Sequence, residues 1–341
     1  MVKMKLLNIT QLIIRTMNQI KKLHKIFFLF FILLSYSCSD NNNYVLKLGH
    51  LANEEDIWNK SSLYFKKIVE ERSHGKIKIK IYPNEQLGKE IDLINGLQLG
   101  TVDMTIAGEA FQNWVPSAAM LAIPYAIRDF DHLQKIANGK IGKSIEKDLL
   151  EKINIRPISW FIRGPRHLTS NRPIIHPDDL NGIILRVPNV PLFVSFWQSL
   201  GAKPTPMAFS EVFTSLQQNT IHAQENPLSL INSAGFSEVQ KYCNLTSHVT
   251  SWIYVVLSEK KLKSLPVDMQ KIILKAGDDM QSYQHKLFFK DEDQLKSQLI
   301  DKGMKFIEVE KNEFIEKSKN SIFLSLNEEQ KQIYNEIINV K

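Results

Sequence analysis

Cysteine is almost missing from this chain: two residues, Cys38 and Cys243, in 341. With one of them in the leader, no structural disulfide is expected, and a chain of this length can instead build a large hydrophobic core. Cys243, alone in "VQKYCNLTSH", reads as a small buried hydrophobe. Also absent are His-Glu-x-x-His, Cys-x-x-Cys, Gly-x-Ser-x-Gly, a phosphate loop and Gly-x-Gly. No nucleophile is nominated, and no cofactor is expected. The nine histidines are scattered, and neither His167 with His176 nor His222 with His248 has tight ligand spacing, so no metal site is expected. Acids are plentiful, but spacing alone cannot bring two face to face, so a carboxylate-dyad hydrolase stays open. Acids are nevertheless wholly missing from residues 1–37, which hold Lys3, Lys5, Arg15, Lys21, Lys22 and Lys25. The net charge of +7 therefore falls to 7 − 6 = +1 for the rest, and a nucleic-acid partner loses its electrostatic support.

The leader has the form of an export signal. "NQIKKLHK" is a positive n-region and "IFFLFFILLSYS" an apolar stretch of about a dozen residues, short for a membrane span. Residues 1–37 are expected to be a signal peptide, with Met17 a more typical start than Met1. Leu34 lies four residues before Cys38, as in a bacterial lipobox, although Ser35 is unusual there. Cleavage at that point would leave a lipidated Cys38 on a polar tether, residues 38–43; the other outcome is plain cleavage without lipid. Either way the expected location is the periplasm, free or anchored to a membrane, a compartment compatible with export without disulfides.

Beyond the tether, strand and helix patterns alternate, which predicts an α/β fold. "YVLKLGH" alternates like a strand, the next segment has helical spacing to Gly75, and "KIKIKIYP" sets three lysines on one face and three isoleucines on the other. "DLINGLQLGTVDMTIA" and "EVFTSLQQNTIHAQEN" echo one another at an offset of 119 residues, with Asn219 standing for Gly100 at the helix stop. The echo favours two similar lobes. We expect lobe I over 44–163, lobe II over 164–251, a return to lobe I over 252–290, and lobe II with a C-terminal helix over 291–341. In the return segment "SWIYVVLSEKKL" is an apolar strand, and Pro266 opens a helix pattern running to Ile300, long enough to lie along both lobes.

Several polar residues stand where strands end or helices begin. Arg186 in "LRVPNVPLF" is surrounded by apolar residues, with no acid nearer in sequence than Asp179. A guanidinium stays charged and is costly to bury alone, so Arg186 needs a partner from elsewhere. Arg166 lies in the turn "RGPRHLTSN", Phe209 precedes Ser210, a good helix N-cap, and Asn226 closes "AQENP". In open α/β sheets ligands sit outside the carboxyl ends of strands, so these residues could share one crevice. Spacing alone leaves each of them open to a bland role as surface charge, turn or core.

"LRVPN", "GAKPTPMAFSEVFTSLQ", "AQENPL" and "FSEVQKY", with "YPNEQLG" and "LGTVDMTIAG", closely resemble the DctP-like solute-binding proteins of tripartite ATP-independent periplasmic (TRAP) transporters. The resemblance covers about Val45 to Lys341. It implies a non-enzymatic receptor that catches an organic acid between two lobes joined by strands and a long helix, then delivers it to membrane permease subunits. It further implies that Arg186 forms the principal salt bridge to the ligand carboxylate and Arg166 a second one. Asn226 and Phe209 are implied as further contacts, with Glu109 and Trp114 as pocket walls.

Departures from the pattern bear on the ligand. Sialic-acid-binding relatives have asparagine where this chain has Leu51, and carry another arginine in the loop that here reads "AGEAFQNW". Typical relatives have Asp-Gly at His222 and Ala223, which leaves that turn open. The expectation is thus a monomeric receptor for a small organic or sugar acid. A sialic acid binder and a ligand-sensing periplasmic lipoprotein are the alternatives.

Overall fold

Lysine and β-branched residues in strict alternation decide the first two strands: Ile77 and Ile79 of β2 (Ile77–Tyr82) are buried while the lysines between them face water. β2 pairs in parallel with β1 (Tyr44–Gly49) along its whole length. The computed structural model describes residue 17, residues 19–22 and residues 43–341. Cys38, the tether before Asn43 and most of the expected leader lie outside the described residues. No helix among those described is long and apolar enough to cross a membrane.

Two sheets organise the body. The first has the order β2-β1-β3-β10-β4, with β3 Met104–Ala107, β4 Ile155–Arg163 and β10 Ser251–Ser258. The second has the order β11-β9-β5-β8-β6-β7. Its strands are β5 Arg166–Ser170, β6 Ile184–Val187, β7 Lys203–Pro206, β8 Ala223–Pro227, β9 Tyr242–Asn244 and β11 Lys305–Ile307. β10 runs antiparallel to both of its neighbours, β3 and β4, and β4 and β10 lead into and out of the second sheet. Only Gly164 and Pro165 separate β4 from β5. β10 is buried at every position, as a strand covered on both faces must be.

The two echoed segments fold alike. The helix Glu90–Leu99 ends at Gly100 with φ +82°, and the helix Val212–Gln217 is followed by Asn219 with φ +55°. Asparagine is the residue after glycine that best tolerates this left-handed stop. The strands that follow, β3 and β8, both run toward the same crevice. Ser210 does not cap its helix: Phe209–Glu211 form a 3₁₀ turn, and the Ser210 amide donates to Glu85 Oε2 at 3.2 Å.

The long helix runs over Val267–Asp301, 35 residues or about 50 Å. Gly277, which interrupts its apolar pattern, is where it lies against β4: a Cβ there would sit 2.5 Å from the Ile158 carbonyl oxygen. Glycine at this point permits a close helix–sheet approach. Gln284 completes the contact, accepting from the Ile162 amide at 3.1 Å and donating to its carbonyl at 2.9 Å.

Candidate functional site

A cavity of about 360 Å³ lies where the strand ends of both sheets meet. Its walls include Leu51, Trp58, Glu90, Glu109, Arg163, Arg166, Arg186, Phe209 and Asn226. The sequence-derived candidates Arg186, Arg166, Asn226, Phe209 and Glu109 are thus brought together. Trp114 is not on this wall; it is partly buried and packs against the hydrophobic core.

Arg186 is 3% exposed, and no carboxylate of the described residues pairs with it. Its Nε and Nη2 both donate to the Met207 carbonyl, at 3.0 and 2.7 Å. Of a guanidinium's five N–H groups, the two on Nη1 and one on Nη2 make no bond to the described protein. The charged group sits 5.9 Å from the Phe209 ring centroid, within cation–π range. Phe209 is itself held edge-on against Phe236 at 5.9 Å. Burial lowers the guanidinium pKa to about 10, still above neutral pH, so the side chain is a cation.

Arg166 has internal partners that its sequence neighbourhood does not show. Its Nη2 donates to Glu225 Oε1 at 2.6 Å, to the Glu225 carbonyl at 2.8 Å and to Asn226 Oδ1 at 3.2 Å. Nε bonds Glu225 Oε2 at 2.5 Å, and Nη1 reaches Glu109 at 3.4 Å. Glu225 also bonds the buried His248, Nε2 to Oε2 at 2.8 Å, while the His248 Nδ1 meets Thr246 Oγ1 at 2.9 Å. Burial alone would raise the Glu225 carboxyl, but Arg166 and His248 more than offset it and hold its pKa at about 2. Asn226 is fixed from both ends, since its Nδ2 donates to Gln224 Oε1 at 2.6 Å.

Arg163 is a cavity residue that sequence reasoning missed. It closes the apolar run of β4, as Arg186 stands one residue before the end of β6, a position that could have marked it. It pairs with Glu109, Nη1 to Oε1 at 2.7 Å, and lies 5.7 Å from the Trp58 ring centroid. Burial raises the Glu109 carboxyl, but Arg163 and Arg166 overcome this and its pKa is lowered. Glu90, at the start of the helix Glu90–Leu99, was missed as well. It is half-buried on the wall, and among the described residues no hydrogen bond or ion pair engages its carboxylate. Burial, and then the charge of Glu109, raise its pKa to about 7 against the pull of Arg163. Lys89 bridges the mouth to Glu211 at 2.5 Å, both side chains exposed. Among the described residues no group of three His, Cys, Asp or Glu could hold a metal ion.

The family model for bacterial extracellular solute-binding proteins, family 7 (DctP), matches residues 48–326. The chain belongs to this family. A TRAP periplasmic solute-binding protein of Roseobacter denitrificans, solved with bound L-galactonate, is 48% identical and superposes with a TM-score of 0.85 over 87% of this chain and 99% of that one. A second, from Haemophilus influenzae with bound L-gulonate, is 32% identical with a TM-score of 0.83 over 88% of this chain and 100% of that one. The sialic acid-binding periplasmic protein of Vibrio cholerae is 37% identical over 72% of this chain and 78% of its own length. This family 7 protein is accordingly a TRAP-type solute-binding protein with two α/β lobes, and its homologues are periplasmic transport proteins.

Proposed function

We propose that this protein captures a hydroxylated monocarboxylate of the aldonate class, such as L-galactonate, in the cavity between its lobes. It then delivers the acid to the membrane subunits of a TRAP permease and catalyses no reaction on it. One observation carries the reading: Arg186 is a buried cation with open N–H groups on the cavity wall and no acid of its own. A carboxylate accepts two such N–H groups side by side, which gives orientation as well as energy. The site residues are Arg186 as principal anchor, Phe209 beneath it, and Asn226 and Arg166 as a rigid second contact group. Glu109 acts as a wall held by Arg163.

The L-galactonate and L-gulonate relatives support the ligand class, and the volume of about 360 Å³ suits a six-carbon acid. Sialic acid fits less well, because Leu51 presents only hydrocarbon on the wall. Each ligand hydroxyl buried there without a partner would cost about 1–3 kcal/mol. Lobe I comprises 44–163 and 252–290, and lobe II comprises 164–251 and 291–341. The mature protein is a periplasmic monomer held to a membrane through lipid on Cys38. Conversion of Cys38 to Ala would then release it into the soluble fraction.

The test is a thermal-shift screen of sugar acids and short organic acids followed by titration calorimetry. Ligand that binds the native form alone raises the melting temperature. L-Galactonate is expected to do so. Failure of every carboxylate to shift the melt would reject the proposal.

A further inference from the structure

Most charged side chains on the cavity wall already have a partner within the described protein. Arg163 is taken by Glu109 and Arg166 by Glu225. Lys89 is taken by Glu211, the Glu85 carboxylate accepts the Ser210 amide, and Asp92 accepts the Lys89 amide. Among the described lining residues, Arg186 is then the one cation without a carboxylate, and Glu90 the one acid whose carboxylate has neither a cation nor a hydrogen-bond donor. They come from opposite sheets: Arg186 from β6 of the second, Glu90 from the helix that leads into β3 of the first.

We propose that Glu90 sets the charge selectivity of the cavity, accepting hydrogen bonds from ligand hydroxyls and rejecting any ligand that carries a second carboxylate. The inference rests on the acid-binding reading above and deepens it. One ligand carboxylate satisfies Arg186. A second has no unpaired cation among the lining residues and meets an acid already short of compensating charge. Like charges at close range in a water-poor site disfavour ionisation of both, so a diacid must take up a proton to enter. Burial, and then the neighbouring charge of Glu109, raise the Glu90 pKa, the direction in which a further carboxylate nearby would push it again. A hydroxyl at the same place donates to Glu90 and gives it the partner that the protein does not supply. A buried acceptor strongly favours the ligand that carries the matching hydroxyl.

The experiment uses pairs of acids that differ only at the far carbon, CH₂OH against COO⁻. These are L-galactonate with galactarate, and D-erythronate with meso-tartrate, titrated at pH 8 into wild type and Glu90→Gln. Gln keeps the shape and one acceptor but removes the charge. Because the Glu90 side chain makes no hydrogen bond among the described residues, the variant should melt as wild type does. Wild type is expected to favour the monoacid of a pair by about a hundredfold, and Glu90→Gln to narrow that ratio at least tenfold, mainly by gain of the diacid. An unchanged ratio in the variant, or a wild type that takes both acids equally, overturns the role of Glu90 while leaving an acid-binding cleft standing. If L-galactonate does not bind but D-erythronate does, the six-carbon ligand falls and the second pair decides Glu90 by the same criterion. Binding of diacids alone, or of neither monoacid, overturns both.

Discussion

Replacing Arg186 by Met separates binding from folding more cleanly than any other change in the cavity. Methionine retains most of the aliphatic stem against Phe209 and removes the charge and all five donors. A hydrogen bond to a charged group contributes about 1.5–3 kcal/mol. Two side by side are therefore worth about 3–6 kcal/mol, and Kd for a bound acid should rise by roughly 10² to 10⁴. Stability should respond differently. Arg186 is 3% exposed and has no carboxylate partner, so the substitution relieves a desolvated charge while leaving the Met207 carbonyl without its two donors. Losing a partner costs about 1–3 kcal/mol, and an uncompensated buried charge costs a comparable amount or more. The melting temperature of the ligand-free protein should hence stay close to wild type or rise. Titration calorimetry and a denaturation curve on the same preparation read both quantities. An affinity within threefold of wild type would refute the role of the guanidinium; a collapse of the fold would refute the claim that its charge is a burden on the empty protein.

Glu225→Gln should behave in the opposite way, because it strips Arg166 of its buried counter-ion; a loss of about 3–5 kcal/mol is expected in urea denaturation. His50 and His167 are buried, and desolvation lowers their pKa values to about 4 and about 3, below the unfolded value of about 6.5. Their contribution to stability is complete above pH 6.5 and is lost as the pH falls from there toward the folded values, since the unfolded chain binds protons first. Among the described residues neither His50 ring nitrogen makes a well-formed hydrogen bond, and desolvation outweighs the weak pull of Asn59 and the Ala52 backbone, so His50→Leu should flatten the fall in melting temperature between pH 6.5 and 4. Gly277→Ala should destabilise by about 1–3 kcal/mol through the contact with the Ile158 carbonyl, measured by thermal melting. Phe209→Ala should weaken acid binding only several-fold, the scale of an exposed-to-buried cation–π contact of about 0.5–2 kcal/mol.

Local grammar made much of this fold legible. Alternation announced β1 and β2, the left-handed stops at Gly100 and Asn219 marked two equivalent helix ends, and the helical pattern after Pro266, interrupted only by Gly277, gave the 35-residue helix. Arg186 could be singled out because it stands among apolar residues with no acid nearer in sequence than Asp179, and in the structure Asp179 accepts from the amides of Ile175 and His176 instead. The pairings of the other arginines could not be read in this way. Glu109 stands 54 residues from Arg163, and Glu225 stands 59 residues from Arg166, so the first bond exists only once β3 and β4 share a sheet and the second only once β5 pairs with β8. Glu90 and Lys89 look like an ordinary charged first turn, and only the opposing lobe turns one into a cavity acid and the other into a bridge. Trp114 shows the converse error: a large aromatic near a site loop was spent on the core.

The Met207 carbonyl has a consequence beyond the two bonds it accepts. Arginine has several freely rotating side-chain torsions, and an arriving guest would ordinarily have to immobilise them before any contact could form. Here the backbone has already chosen one rotamer and left the open edge of the fork in place. The entropy of ordering that side chain was lost when the chain folded, so selectivity among guests is decided by their own shape and charge, with little adjustment left for the host.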